Sequence, residues 1–145
     1  MSIYPDNYWD KTYGPVGGWN EEIVFKYIQN CCYPDLVKAK KQMSRWDCYS
    51  VDTKHRIELK CRKKHYDTLM VERKKYNAMI TKCNDHGDIP MYINSTPKGI
   101  YSFNLYDLKP EWKVMYLSKT TEFGQRHKVP KEVAMIPVVD AITLK

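Results

Sequence analysis

The stretch HRIELKCRKKHY, residues 55–66, decides how the chain is read. Ile57, Leu59 and Cys61 alternate with Arg56, Glu58, Lys60 and Arg62. That period of two is the mark of a strand with one buried face. Its polar face carries a carboxylate and an ammonium two residues apart, flanked by arginines. Either this is a solvated sheet face, held by a cross-strand ion pair of little stabilising value, or it is half of a chemical site.

Working outward, RWDCYSV at 45–51 reads as a preceding strand, Arg45 to Val51, joined to the first by a turn at Asp52-Thr53-Lys54. The pair makes an antiparallel hairpin. Before it, Asn20 caps a helix that opens with Glu21 and Glu22, where the helix dipole favours acids. Val24, Tyr27, Ile28 and Cys31 share one face of this helix, which stops near Pro34; the basic connector KAKKQMSR follows. Residues 1–18 read as an irregular aromatic arm closed by GPVGG, and 19–145 as a single domain. Tyr8, Trp9 and Tyr13 of the arm pack on their own domain or a dimer partner, or stack on a nucleic acid. After the central strand, DTLMVERKKYNAMITKC carries a helical pattern from Leu69 to Ile80, ended by the loop NDHGDIP. PMYINST and KGIYSFNLYDL then form strands about a Pro-Lys-Gly turn, WKVMYLSK adds another, and the tail is mixed. The order helix, two or three strands, helix, strands implies an α/β fold, a mixed sheet flanked by helices.

The bulk composition narrows the function classes. A chain of 145 residues suffices for a real core. Twenty-four Lys and Arg against 17 Asp and Glu leave +7, which favours polyanionic partners. Five cysteines lack zinc-type spacing, no apolar run reaches membrane-spanning length, and the start lacks a secretory pattern. We therefore expect a reduced cytoplasmic protein that needs neither membrane nor structural zinc. The four histidines follow no ligand spacing and read as surface residues.

An acid-x-Lys pattern alone says little, since the chain has five: at Asp52, Glu58, Glu72, Asp107 and Glu111. Composition would give roughly two by chance. Only Glu58-Leu59-Lys60 lies mid-strand with both charges on one face. Asp47, eleven residues upstream, faces the same side if Trp46 and Cys48 face the other, and the hairpin then brings the two carboxylates together. Like charges that close call for a divalent cation. Mg²⁺ suits one or two carboxylates with water and phosphate oxygens, and Mn²⁺ should substitute. Lys60 would orient a water or stabilise charge growing on a phosphate. Glu21, with Val24 and Ile28 three and seven residues on, sits at the edge of the buried helix face. It is preferred to Glu22 as a further site acid, though both also serve as helix starters. Arg62, Lys63, Lys64, Lys74 and Lys75 cluster nearby as phosphate contacts, or as solvating charge.

Asp47 followed by Glu58-Leu59-Lys60, behind a helix bearing Glu21-Glu22 and ahead of a second helix, resembles the PD-(D/E)XK nuclease superfamily. Within it the layout is similar to small phage endonucleases and Holliday-junction resolvases. GGWNEEIVFKYI, RWDCYSV, IELKCR and KKYNAMI also resemble tracts of small phage proteins. The resemblance spans residues 18–118 and implies a restriction-endonuclease-like core with Asp47 and Glu58 as metal ligands and Lys60 as the catalytic amine. It implies a Mg²⁺-dependent, phage-encoded endonuclease that hydrolyses DNA in the host cytoplasm, by analogy as a homodimer that cuts both strands or a branched junction. Trp46 stands where that pattern has Pro, and Glu72-x-x-x-Tyr76 where some branches have Gln-x-x-x-Tyr. The rival expectations are a catalytically inactive nucleic-acid-binding protein on the same fold and a phage protein-interaction factor.

Overall fold

The alternating stretch is a strand inside the larger of two sheets. The computed structural model describes residues 4, 5, 7–40, 47–118 and 127–145. Helices α1 (Tyr8–Tyr13) and α2 (Glu21–Cys31) precede strands β1 (Val37–Lys38), β2 (Cys48–Ser50), β3 (His55–Cys61) and β4 (Thr68–Glu72). Helix α3 (Arg73–His86) follows, then β5 (Ile89–Thr96), β6 (Gly99–Asn104), β7 (Lys113–Ser118), β8 (Lys128–Pro137) and β9 (Ile142–Thr143). The larger sheet has the order β1-β2-β3-β5-β6-β9 and the smaller β4-β8-β7. β3 and β5 run parallel, while β2 pairs antiparallel with β3 and β6 with β5, so the larger sheet is mixed. A parallel neighbour requires a long crossover, and the chain between Cys61 and Ile89 supplies it with β4 and α3.

Alternation along the strands splits the core in two. Ile57 and Leu59 pack with Cys48, Met91, Ile93 and Ile100 beneath Val24, Phe25 and Ile28 of α2. Tyr92, Tyr101 and Phe103 meet Leu69, Val71, Met79, Ala134 and Ile136 in the second cluster. Successive side chains on a strand point to opposite faces. Glu58 and Lys60 therefore turn away from the α2 side; they lie in register with Tyr92 and Asn94 of β5.

Several expectations are corrected. Leu69 to Glu72 belong to β4, not to a helix; Leu69 and Val71 are buried, and β4 pairs with β8 from Thr68↔Pro137 to Glu72↔Val133. A partner some sixty residues away overrides the local helical pattern. The helix continues through the expected NDHGDIP loop to His86, where Gly87 at φ 69° closes it in the left-handed conformation. The supposedly irregular arm contains α1, because Trp9 finds partners: its ring meets Tyr27 edge-on at 5.3 Å and lies near Trp19. The strand expected from Arg45 to Val51 is only Cys48–Ser50, with Val51 in the turn; Arg45 and Trp46 lie outside the described residues, as does Arg126 of the tail. Two histidines are not surface residues. His55 Nδ1 shares a 2.7 Å hydrogen bond with the Tyr33 hydroxyl, and His65 Nδ1 a 2.9 Å bond with Thr96.

Ile57 is fully buried at the junction of β2, β3 and α2. Ile57→Ala should cost about 2–5 kcal/mol in denaturant unfolding. Val114→Ala, on the exposed β7 position, should stay within about 0.5 kcal/mol.

Candidate active site

The site forms where β2 ends; beyond Ile57, that edge of β3 has no strand neighbour among the described residues. The Asp47 backbone N–H donates to Ile57 O at 2.8 Å. Its side chain then takes over the strand's role: Leu59 N–H donates to Asp47 Oδ2 at 2.7 Å. This fixes the Asp47 carboxylate against the backbone of the Glu58-Leu59-Lys60 stretch. Asp47 and Glu58 share a side-chain hydrogen bond. Burial, then the negative charge of Asp47, pushes Glu58 well above the ordinary carboxylate range, to about 8. A buried carboxylate beside a second carboxylate is an arrangement whose repulsion a divalent ion would relieve.

Cations close the arrangement from two sides. Lys60 rises from the same strand; burial, followed by the charges of Lys75 and Arg62, lowers its pKa. Lys75 of α3 places Nζ 3.9 Å from Glu58 Oε1. Glu58, Lys60, Arg62, Glu72 and Lys75 line a cleft whose floor includes Met70, Met79 and Leu105.

The two helix acids part company. Glu22 points outward to an ion pair with Lys38, which lowers its pKa. The pKa of Glu21 is raised by partial burial and by Asp47, while Lys60 and Lys75 oppose the rise. Asn20 starts α2 by accepting from Ile23 N–H at 3.0 Å, and that cap sets the first turn beside the open edge of β3.

The structure thus brings together Asp47, Glu58, Lys60 and Glu21. Among the described residues, no group of three or more His, Cys, Asp and Glu side chains is close enough to hold an ion unaided. The Asp47–Glu58 pair still fits Mg²⁺, an ion that keeps several waters and takes phosphate oxygens alongside one or two carboxylates. Lys63, Lys64 and Lys74 are exposed around this region. Arg62 is different: Nε donates to Asn94 Oδ1 at 2.8 Å, and Nη2 to Met70 O at 2.6 Å and Tyr92 Oη at 3.0 Å. Those bonds make it a tie between β3, β4 and β5 rather than an outward phosphate contact. Sequence reasoning placed Lys75 among the nearby phosphate contacts and missed its ion pair with Glu58; the register of α3 against β3 was not visible in the sequence.

No family model and no curated protein matches the sequence. The folded chain is nonetheless similar to a solved structure, the Holliday junction resolvase Hjc of Archaeoglobus fulgidus, an archaeal hyperthermophile. The match has a TM-score of 0.56 over 86% of this chain and 88% of that one, at 14% identity. The fold is restriction-endonuclease-like. In this restriction-endonuclease-like frame, Glu58 and Lys60 occupy a strand of the mixed sheet, with Glu21 of α2 and Lys75 of α3 within electrostatic reach. No helix of the described residues is long and apolar enough to cross a membrane.

Glu58 provides a test in metal-free buffer. Its pKa is higher in the folded chain, about 8, than the ordinary 4.5, so the folded state holds a proton that the unfolded state has lost between those values. Wild-type stability therefore falls as pH rises through that window. Glu58→Gln has no such ionisation. Its melting temperature should exceed the wild type's by a margin that grows from pH 4.5 to pH 8. A purely stabilising surface ion pair would instead make the glutamine variant the weaker one.

Proposed function

We propose that the chain is a Mg²⁺-dependent endonuclease that hydrolyses phosphodiester bonds in DNA. The observation that carries this reading is the convergence of the Asp47 and Glu58 carboxylates, with Lys60 and Lys75 beside them, on a restriction-endonuclease-like fold. Support also comes from the solved neighbour, described as a Holliday junction resolvase, and from the chain's excess of positive charge. The phage-like tracts support a phage-encoded protein acting in the host cytoplasm. A homodimer would let two such sites address two strands.

Asp47 and Glu58 would hold the metal, with Mn²⁺ as a substitute. A metal held there would supply Lewis acidity toward a phosphate oxygen and a water. Glu58 is suited to this as an acceptor at neutral pH once its proton leaves. Asp47 is held in place by Leu59 N–H and so needs no reorganisation to ligate. Lys60, partly desolvated, sets its ammonium against charge that accumulates on the phosphoryl oxygens, where low surrounding polarity strengthens the interaction. Glu21 completes the metal surroundings or orients the attacking water. Lys63, Lys64 and Lys74 bind flanking phosphates.

Purified protein with Mg²⁺ should nick or cut at least one of supercoiled, single-stranded or branched DNA, and EDTA should stop it. Glu58→Ala and Lys60→Ala should each lose about 100-fold or more in rate. Full activity in Glu58→Ala would remove the proposed site. No cleavage of any DNA form, with binding intact, would leave a DNA-binding protein on a nuclease scaffold.

Binding should weaken steeply with salt. Replacing Lys63 and Lys64 by Ala should flatten the plot of log affinity against log salt by about 0.9 for each phosphate that is no longer neutralised. An unchanged slope would reassign both to solvation.

A further inference from the structure

The ion pair made by Glu58 reaches outside its own strand. Lys75 comes from the opening turn of α3, and its Nζ lies 3.9 Å from Glu58 Oε1. That separation lets opposite charges attract without a formed hydrogen bond. The Lys75 side chain is 57% exposed while that of Glu58 is 19% exposed. The ammonium thus hangs at the cleft mouth over a carboxylate that lies deeper. Tyr76 and Met79 line the same cleft from α3, and Met79 is buried, so the helix is anchored while the lysine stem is free to swing.

The other cations of the cleft lack this freedom. Arg62 is tied to Asn94, Met70 and Tyr92. Lys131, next to the cleft acid Glu72, bonds that carboxylate at 3.1 Å. Lys60 is half-buried on β3. Lys75 also acts on Glu21 and on Lys60, so its charge is felt across the whole group.

We infer that Lys75 is an exchangeable counter-ion: it competes with a divalent cation for the Glu58 carboxylate and, once displaced, binds the phosphate presented for cleavage. This rests on the nuclease reading above. A divalent ion on Asp47 and Glu58 repels the ammonium, and the exposed stem carries it outward to where substrate phosphate must lie for Lys60 to reach it. One lysine therefore weakens metal binding before substrate arrives and strengthens phosphate binding afterwards. A residue that merely stabilised the fold would not move these two quantities in opposite directions.

The test measures Mn²⁺ affinity by electron paramagnetic resonance without DNA, and cleavage separately. Lys75→Met should bind Mn²⁺ about three- to tenfold more tightly, since one nearby positive charge is gone. It should cleave at least about tenfold more slowly at saturating Mn²⁺. Lys75→Arg should restore cleavage. Lys82→Met, an equal charge change farther along α3, should bind Mn²⁺ as the wild type does. Unchanged or weaker Mn²⁺ binding in Lys75→Met, with wild-type binding intact, overturns the inference and leaves the nuclease reading standing. A wild type that binds no Mn²⁺, or a Glu58→Gln variant that binds it equally well, overturns both.

Discussion

The hydrogen bond from Leu59 N–H to the Asp47 side chain holds the candidate site together. An antiparallel neighbour would ordinarily accept from that donor through its own backbone. Here the regular pairing of β2 ends at Cys48, and a carboxylate oxygen supplies the acceptor instead. The substitution satisfies a donor that would be costly to leave unpaired. It also brings a negative charge beside Glu58, a neighbour that desolvation already disfavours as an anion. Backbone satisfaction and electrostatic tension therefore come from the same side chain.

The surrounding layers maintain that tension. Ile57 and Leu59 are clamped under α2, so β3 cannot rotate to relieve its charged face. Tyr92 lies in register with Glu58 and helps desolvate it from the β5 side. Arg62 joins three strands through side-chain and backbone acceptors, which keeps the cleft wall in place. Stability is given up locally at Glu58 and recovered from two apolar clusters, the pattern expected where a fold supports a reactive site.

Much of this was legible in residues alone. Period-two alternation located β3, the Asn20 cap located α2, and the tripeptide's mid-strand position separated Glu58-Leu59-Lys60 from four similar patterns. Choosing Glu21 over Glu22 followed from the buried helix face; in the structure Glu22 pairs with Lys38, while Glu21 feels the charges of Asp47, Lys60 and Lys75. What could not be read depended on distant partners. β4 imitates a helical segment until β8 is placed beside it. The arm aromatics do pack on their own domain, as expected, but the helix α1 that carries Trp9 to Tyr27 and Trp19 was not legible. Arg62 and Lys75 look alike as basic residues in a string of letters, yet one is braced inside and the other reaches a carboxylate, because only packing distinguishes them.

The parallel pairing of β3 with β5 carries one more implication. The strand pair closes only after the intervening crossover has docked, and α3 rides on that crossover. Pairings so far apart in sequence form late, since closing the intervening loop has an entropic cost that must precede any reward. Asp47 and Glu58 already meet within the β2–β3 hairpin, whereas Lys75 reaches Glu58 only when the crossover has docked. In a half-made chain leaving the ribosome, the acids of the hairpin would meet before the amine of α3 arrives to offset them.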